Sequence, residues 1–167
     1  VDWNNWSPLE EAVLCFVCSG SKVLLIEKKR GLGQGKINAP GGRIEPGETP
    51  VQAAIRETRE EVGITPAIPR QMAVIDFQFT DGYALRCHVF VSCKHEGSAH
   101  ETPEAIPFWC EQSQIPYDRM WADDKHWLPR VLAGEMLRCR FVFDGDQMLD
   151  MQVQSGIYDW NGEVTVL

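Results

Sequence analysis

GRIEPGETPVQAAIRETREEVGI, residues 42–64, decides how the chain is built. A glycine- and proline-containing approach runs into a helix. Thr49 is a good N-cap, Pro50 suits the first helical position, and Gln52 completes a capping box. Val51, Ile55, Thr58 and Val62 recur at helical spacing and predict one packed face. Gly63 stands where a helix closes in left-handed backbone. At about 100° per residue, Glu60, Glu57 and Glu61 fall roughly 180°, 240° and 280° round the axis from Val51, on a ridge expected to point away from the core.

Like charges at this spacing repel. One reading is a solvated face, partly paired by Arg56 and Arg59. The other is a cation site. It draws on the loop before the helix, where Pro40-Gly41-Gly42 and Glu45-Pro46-Gly47-Glu48 would let bare backbone approach a ligand and Glu48 adds a fourth acid. Oxygen-rich clusters suit hard cations such as Mg2+ or Mn2+.

Outward from this segment the chain reads mainly as strands. The first eight residues read as an arm. Apolar runs at 11–18 and 22–28 are split by Ser19-Gly20-Ser21, a hairpin signal. KRGLGQGK, residues 29–36, is a basic glycine-rich loop. Strands are expected at about 70–79 and 84–93, joined by Thr80-Asp81-Gly82-Tyr83, with a short one at IPFWC. Residues 122–133 read as helical but interrupted by Pro129. Two more strands, 137–144 and 147–154, meet at Asp144-Gly145-Asp146, and the last dozen residues read as a tail. Strands with two helices interspersed predict a mixed sheet covered by helices.

The totals set bounds. A chain of 167 residues with 44% hydrophobic and 24% charged content suits one globular domain, residues 1–167, with its core at about 10–155. A formal net charge of -8 argues against duplex nucleic acid, which needs basic surface. No apolar run approaches the roughly 18–20 residues that span a bilayer, and no basic-then-apolar leader is visible. Of the six cysteines, Cys15 and Cys18 have the spacing of a metal or redox pair. They lie within a strand-like run, though, where residues three apart face opposite ways, so buried core thiols are expected. Reduced thiols point to the cytoplasm, and a monomer is expected.

A second constellation is Met120-Trp121-Ala122-Asp123-Asp124-Lys125-His126-Trp127. An indole can stack on a base. Two close, partly buried acids cannot both ionise easily, so one could donate while its neighbour accepts. Alternatively Asp123 or Asp124 caps the helix and the tryptophans pack.

Gly42, Glu48 and Arg56-Glu57-Thr58-Arg59-Glu60-Glu61-Val62-Gly63-Ile64 resemble the signature of the Nudix hydrolases, which cleave nucleoside diphosphates linked to another moiety with a divalent metal. Thr58 departs from it, standing where that family has a bulky aliphatic. Over roughly residues 12–155, KKRGLGQGKINAPGG, the FQF pair, HVF, PEAIPFW, IPYDRMWADDKHWLP and FVFDGDQMLD are similar to the oxidised-purine nucleoside triphosphatases of that family. The resemblance implies an α/β fold with a mixed sheet sandwiched between helices (α/β/α). It also implies hydrolysis of 8-oxo-dGTP and 2-oxo-dATP to the monophosphate and pyrophosphate. Glu57, Glu60, Glu61 and Glu104 would hold Mg2+ or Mn2+ with the Gly42 carbonyl, and Glu61 or Glu104 would help to activate water. Arg56 would orient the glutamates and Glu48 would support them. Asn38, Trp121, Asp123 and Asp124 would read the base, Phe77 and Phe79 would line its pocket, and Lys28 would lie near the nucleotide. Without the resemblance, Glu104 reads equally well as an exposed loop acid. Leu32, where relatives have an aromatic, and Ala39-Pro40 depart from the pattern beside the pocket. Alternatives are a broader nucleoside triphosphate or modified-purine hydrolase, an RNA-cap or dinucleoside polyphosphate hydrolase, and a non-catalytic nucleotide-binding module. The acidic charge weighs against RNA, and the intact glutamates weigh against the binding module.

Overall fold

The computed structural model describes residues 1–160 and the backbone of 164–166. Strand β1 (Glu10–Ser19) organises it. Val13, Cys15 and Val17 bury into one apolar cluster, while Phe16 and Cys18 bury into another. Both faces of the strand are covered, which is why AVLCFVC reads as continuous apolar sequence. It also sends the two thiols to opposite faces, and all six cysteines are free.

Helix α1 (Pro50–Val62) supplies Ala53, Ala54 and Val62 to the first cluster. Helix α2 (Asp124–Leu132) supplies Trp127, Leu128 and Val131 to the second. The helices therefore cover opposite faces of one mixed sheet. Beside β1 run β2 (Lys22–Lys28) and β7 (Ala84–Ser92), antiparallel and parallel respectively. Beyond β7 lie β6 (Arg70–Phe79), β10 (Met136–Asp144) and β11 (Gln147–Tyr158), with β6 and β10 parallel. Short β3 (Ile37–Asn38) and β9 (Ala105–Glu111) pair with β2. An antiparallel pair, β5 (Thr65–Ala67) and β8 (Lys94–Glu96), forms a separate two-stranded sheet.

What positions the site is a fork at β1. Its Cys18–Ser19 end pairs with β2, whereas Ala12–Leu14 pair with β4 (Gly41–Arg43). The Cys15 N–H donates to Pro40 O at 2.9 Å, tying the glycine loop to the strand. The chain then enters α1 through the expected capping box. Thr49 accepts from the Gln52 N–H, Gln52 accepts from the Thr49 N–H, and Gly63 closes the helix at φ 81°.

Three expectations are corrected. The buried arc of α1 is turned towards Ala54, Thr58 and Glu61, leaving Val51 and Ile55 half-buried. The carboxylate ridge is thus split, and Glu61 lies inside. Thr58 fits this arc because its hydroxyl donates to Ala54 O at 2.7 Å, satisfying the polar group within the helix. Pro129 does not interrupt α2. It and Lys125, whose carbonyl loses its partner, are both exposed, so water can take that bond. The last dozen residues are not all tail. β11 continues to Tyr158 and pairs with β12 (Val164–Val166), and the Tyr158 ring stacks on Trp160, whose Nε1 donates to Gln71 O at 3.0 Å. Residues 161–163 and 167 lie outside the described residues. The N-terminal arm rests on the sheet, with Trp6 donating to Gln78 and stacking on Arg86. Among the described residues no helix is long and apolar enough to cross a membrane.

The cap can be tested directly. Thr49→Ala should cost about 1 kcal/mol, seen as a fall in Tm of roughly 2–4 °C in a thermal melt.

Candidate active site

α1 and the loop before β9 bring Glu57, Glu61 and Glu104 together, with one carboxylate oxygen from each inside 4.8 Å of the others. Glu61 is 3% exposed, and burial pushes its carboxyl up to about 7. The Gly41 N–H, 3.0 Å from Glu61 Oε2, and the Lys28 ammonium oppose that rise, while Glu57 and Glu104 add to it. Burial also raises Glu57, against the pull of Arg56.

Arg56 is the hub. Its Nε and Nη2 grip Glu48 at 2.7 and 2.9 Å, and Nη1 reaches Glu57 at 2.8 Å and Glu60 at 3.2 Å. Nη2 also donates to Arg43 O, so the rigid fork ties α1 to β4. Beside this guanidinium the Glu48 carboxyl is held down at about 2. Glu60 stands outside the cluster, 57% exposed, and shares Arg56 Nη1 with Glu57. Glu104 is half-exposed, with Arg30 3.2 Å away. Gly42 needs its missing side chain, because a Cβ there would lie 2.5 Å from the Glu57 carboxyl carbon.

A cavity of about 300 Å³ opens beside the cluster and reaches Asp123 and Asp124. All seven residues expected around the nucleotide line it: Lys28, Asn38, Phe77, Phe79, Trp121, Asp123 and Asp124. Trp121 is braced edge-on by Phe79 and Phe143, its Nε1 lies against Gly33, and the Lys36 ammonium sits 5.0 Å from its ring centre. Asn38 Oδ1 accepts the Ala39 N–H, which leaves its amide nitrogen as the free donor. Leu32 lies on the rim, 51% exposed, and Ala39 is buried in the wall.

The two aspartates do not cap α2. Asp123 has helical backbone and makes no capping bond; its Oδ2 accepts the Trp127 indole N–H at 2.8 Å. Asp123 Oδ1 and Asp124 Oδ2 are buried without a partner among the described residues. Burial raises both carboxyls, Asp123 to about 6, and the charge of Asp123 pushes Asp124 up further.

Sequence reasoning missed Tyr83 and Lys36. Tyr83, read as a turn residue, lines the cavity and donates to Glu10 at 2.7 Å, and Glu10 in turn pairs with Arg43. Nothing in the local sequence marks it. The basic residue ending the glycine-rich loop was a usable signal for Lys36.

A NUDIX domain matches residues 8–131. The chain belongs to the Nudix hydrolase family. Oxidized purine nucleoside triphosphate hydrolase of Danio rerio is 38% identical over 137 residues, covering 81% of this chain and 88% of the relative. The Mus musculus protein of the same name is 34% identical over 143 residues, covering 84% and 92%. The crystal structure of a mutator MutT protein from Bacillus halodurans superposes with a TM-score of 0.77 at 27% identity, over 87% of this chain and 97% of that one. The Nudix fold and its mixed sheet with two helices agree with the architecture expected from the sequence.

Two outcomes follow for this Nudix site. Gly42→Ala must displace the Glu57 carboxyl, so divalent-metal affinity measured by calorimetry should fall about tenfold. The raised aspartates give stability that is fully present below the unfolded carboxyl range and is lost as pH climbs from about 4 through their raised folded values, about 6 for Asp123. Asp124→Asn should therefore melt above the parent protein at pH 7, with the gap closing towards pH 4.

Proposed function

We propose that this Nudix hydrolase converts oxidised purine nucleoside triphosphates, 8-oxo-dGTP and 2-oxo-dATP, to the monophosphate and pyrophosphate. The observation that carries the reading is one apolar cavity lined both by the buried Asp123–Asp124 pair and by Glu61, a member of the three-glutamate cluster. The two relatives named above, each aligned over most of its length, are oxidized purine nucleoside triphosphate hydrolases and support it.

The residues fit a divalent ion, with Mg2+ preferred and Mn2+ as the substitute. Three carboxylates crowd together, two of them raised by burial, and a bound cation would offset their repulsion. Glu57, Glu61 and Glu104 would hold it. Glu60 and the Gly42 carbonyl are the remaining candidates from the sequence, and Glu60 would first have to leave Arg56. The chemistry supplied by the bound ion is neutralisation of phosphate charge and activation of water for attack on phosphorus.

The chain's own groups do the rest. Trp121, held edge-on by two phenylalanines, offers a ring face to the purine. Asp124, protonated, donates to the base edge while Asp123 accepts. The Asn38 amide donates to the base as well. Lys28, at the junction of cavity and cluster, faces the polyphosphate. Arg56 keeps the glutamates in register. The exposed Leu32, in place of a stacking aromatic, favours a broader purine range as the second reading.

Steady-state kinetics with Mg2+ on 8-oxo-dGTP, 2-oxo-dATP, dGTP and dATP, with products identified, tests this. The oxidised purines should exceed the others by at least about tenfold in kcat/KM. Equal turnover of all four would favour the broader hydrolase.

A further inference from the structure

The last carbonyls of a helix have no partner within it. In α1 the loop before β9 supplies two of them. The His100 N–H donates to Val62 O at 3.0 Å, and the Thr102 hydroxyl donates to Glu61 O at 2.7 Å. The same hydroxyl accepts the Glu104 N–H at 3.3 Å. A single side chain therefore joins the main chains of two members of the glutamate cluster, one on a helix and one on a loop 43 positions further on. Lys29, just past the end of β2, completes the hold, because its N–H donates to Glu104 O and its Nζ to Thr102 O.

We propose that Thr102 is a positioning residue for the metal site, setting the Glu104 carboxylate against Glu57 and Glu61. The proposal rests on the assignment of those three glutamates as holders of the ion. Glu104 is half-exposed, and the hydrogen-bond and ion-pair partner of its carboxyl among the described residues is Arg30. Its side chain is placed by its backbone, and at the 102 end that backbone is held by the Thr102 hydroxyl, which ties it to α1, together with the Thr102 N–H, which donates to Ala105 O at 3.1 Å within the turn. Loss of the hydroxyl frees the Glu104 amide and leaves a helix-end carbonyl open, so the loop settles elsewhere and the third carboxylate leaves the cluster.

The test is a Mn2+ titration of the whole protein without nucleotide, reading free Mn2+ by electron paramagnetic resonance. Thr102→Val removes the hydroxyl and keeps the branched shape; Thr102→Ser keeps the hydroxyl. Thr102→Val should weaken Mn2+ binding about tenfold, and Thr102→Ser should bind as the parent does. In a Glu104→Gln background, Thr102→Val should add no further loss, because its effect runs through that carboxylate. Parent-like binding by Thr102→Val, with Glu104→Gln impaired, overturns the proposal and leaves the metal assignment standing. An equal loss from Thr102→Val in both backgrounds overturns it too. Parent-like binding by Glu104→Gln instead removes Glu104 from the metal site, and this inference falls with it. If Thr102→Val does not fold, Thr102→Ala takes its place. Failure of both to fold would show that the hydroxyl holds the fold and not the ligand, and would overturn the proposal.

Discussion

A carboxylate can be buried only if something answers its charge, and Glu61 is buried. The structure answers in part, with one backbone N–H from Gly41 and the more distant field of Lys28. The remaining cost stays in the protein as a raised carboxyl beside two more acids. That constraint explains the surroundings. The glycine loop must come close enough to offer an amide, so it is tied to β1 through Pro40 O and β4. The helix must hold its register, so it is capped at both ends.

Arg56 links these demands. Its guanidinium satisfies Glu48 at the helix entrance, Glu57 in the cluster and a carbonyl on β4 at once. A lysine could carry the charge but not the geometry, because it lacks the planar fork. The cluster and the strand that faces it are therefore one rigid unit. The buried aspartates on α2 repeat the same physics on the other face of the sheet. Burial pushes both carboxyls up, and both residues line the cavity. One cavity is lined by Glu61 of the cluster, by the aspartate pair and by β1 and β4 where the fork begins.

Much of this was legible in the chain itself. The cap residues of α1 carry their meaning locally, and Thr49, Pro50, Gln52 and Gly63 all stand where the sequence placed them. The hairpin at Gly20 and the opposed thiols of β1 follow from turn chemistry and from strand alternation. The seven residues expected around the nucleotide gathered in one cavity; Trp121, Asp123 and Asp124 were marked by their local chemistry, whereas Lys28, Asn38, Phe77 and Phe79 came from a resemblance spread across the chain. Periodicity misplaced Glu61 because a helical wheel gives angles and not the direction of the nearest sheet. α1 packs against β1 and the glycine-containing β4, and its buried arc takes in Ala54, Thr58 and Glu61. Pro129 misled for a similar reason, since its cost depends on whether the orphaned carbonyl meets water. Tyr83 and Thr102 gave no signal because their partners, Glu10 and Glu61, are distant in sequence.

The sequence by itself determined the local grammar: where α1 starts and stops, which strands alternate, and which acids crowd together. Those choices depend on neighbours within a turn or two of the chain. Only the tertiary structure decided which of the crowded acids is buried, that Glu104 joins them, and that the aspartate pair faces a cavity instead of capping its helix. These outcomes depend on desolvation and on contacts between distant segments, and both are fixed only when the chain has packed.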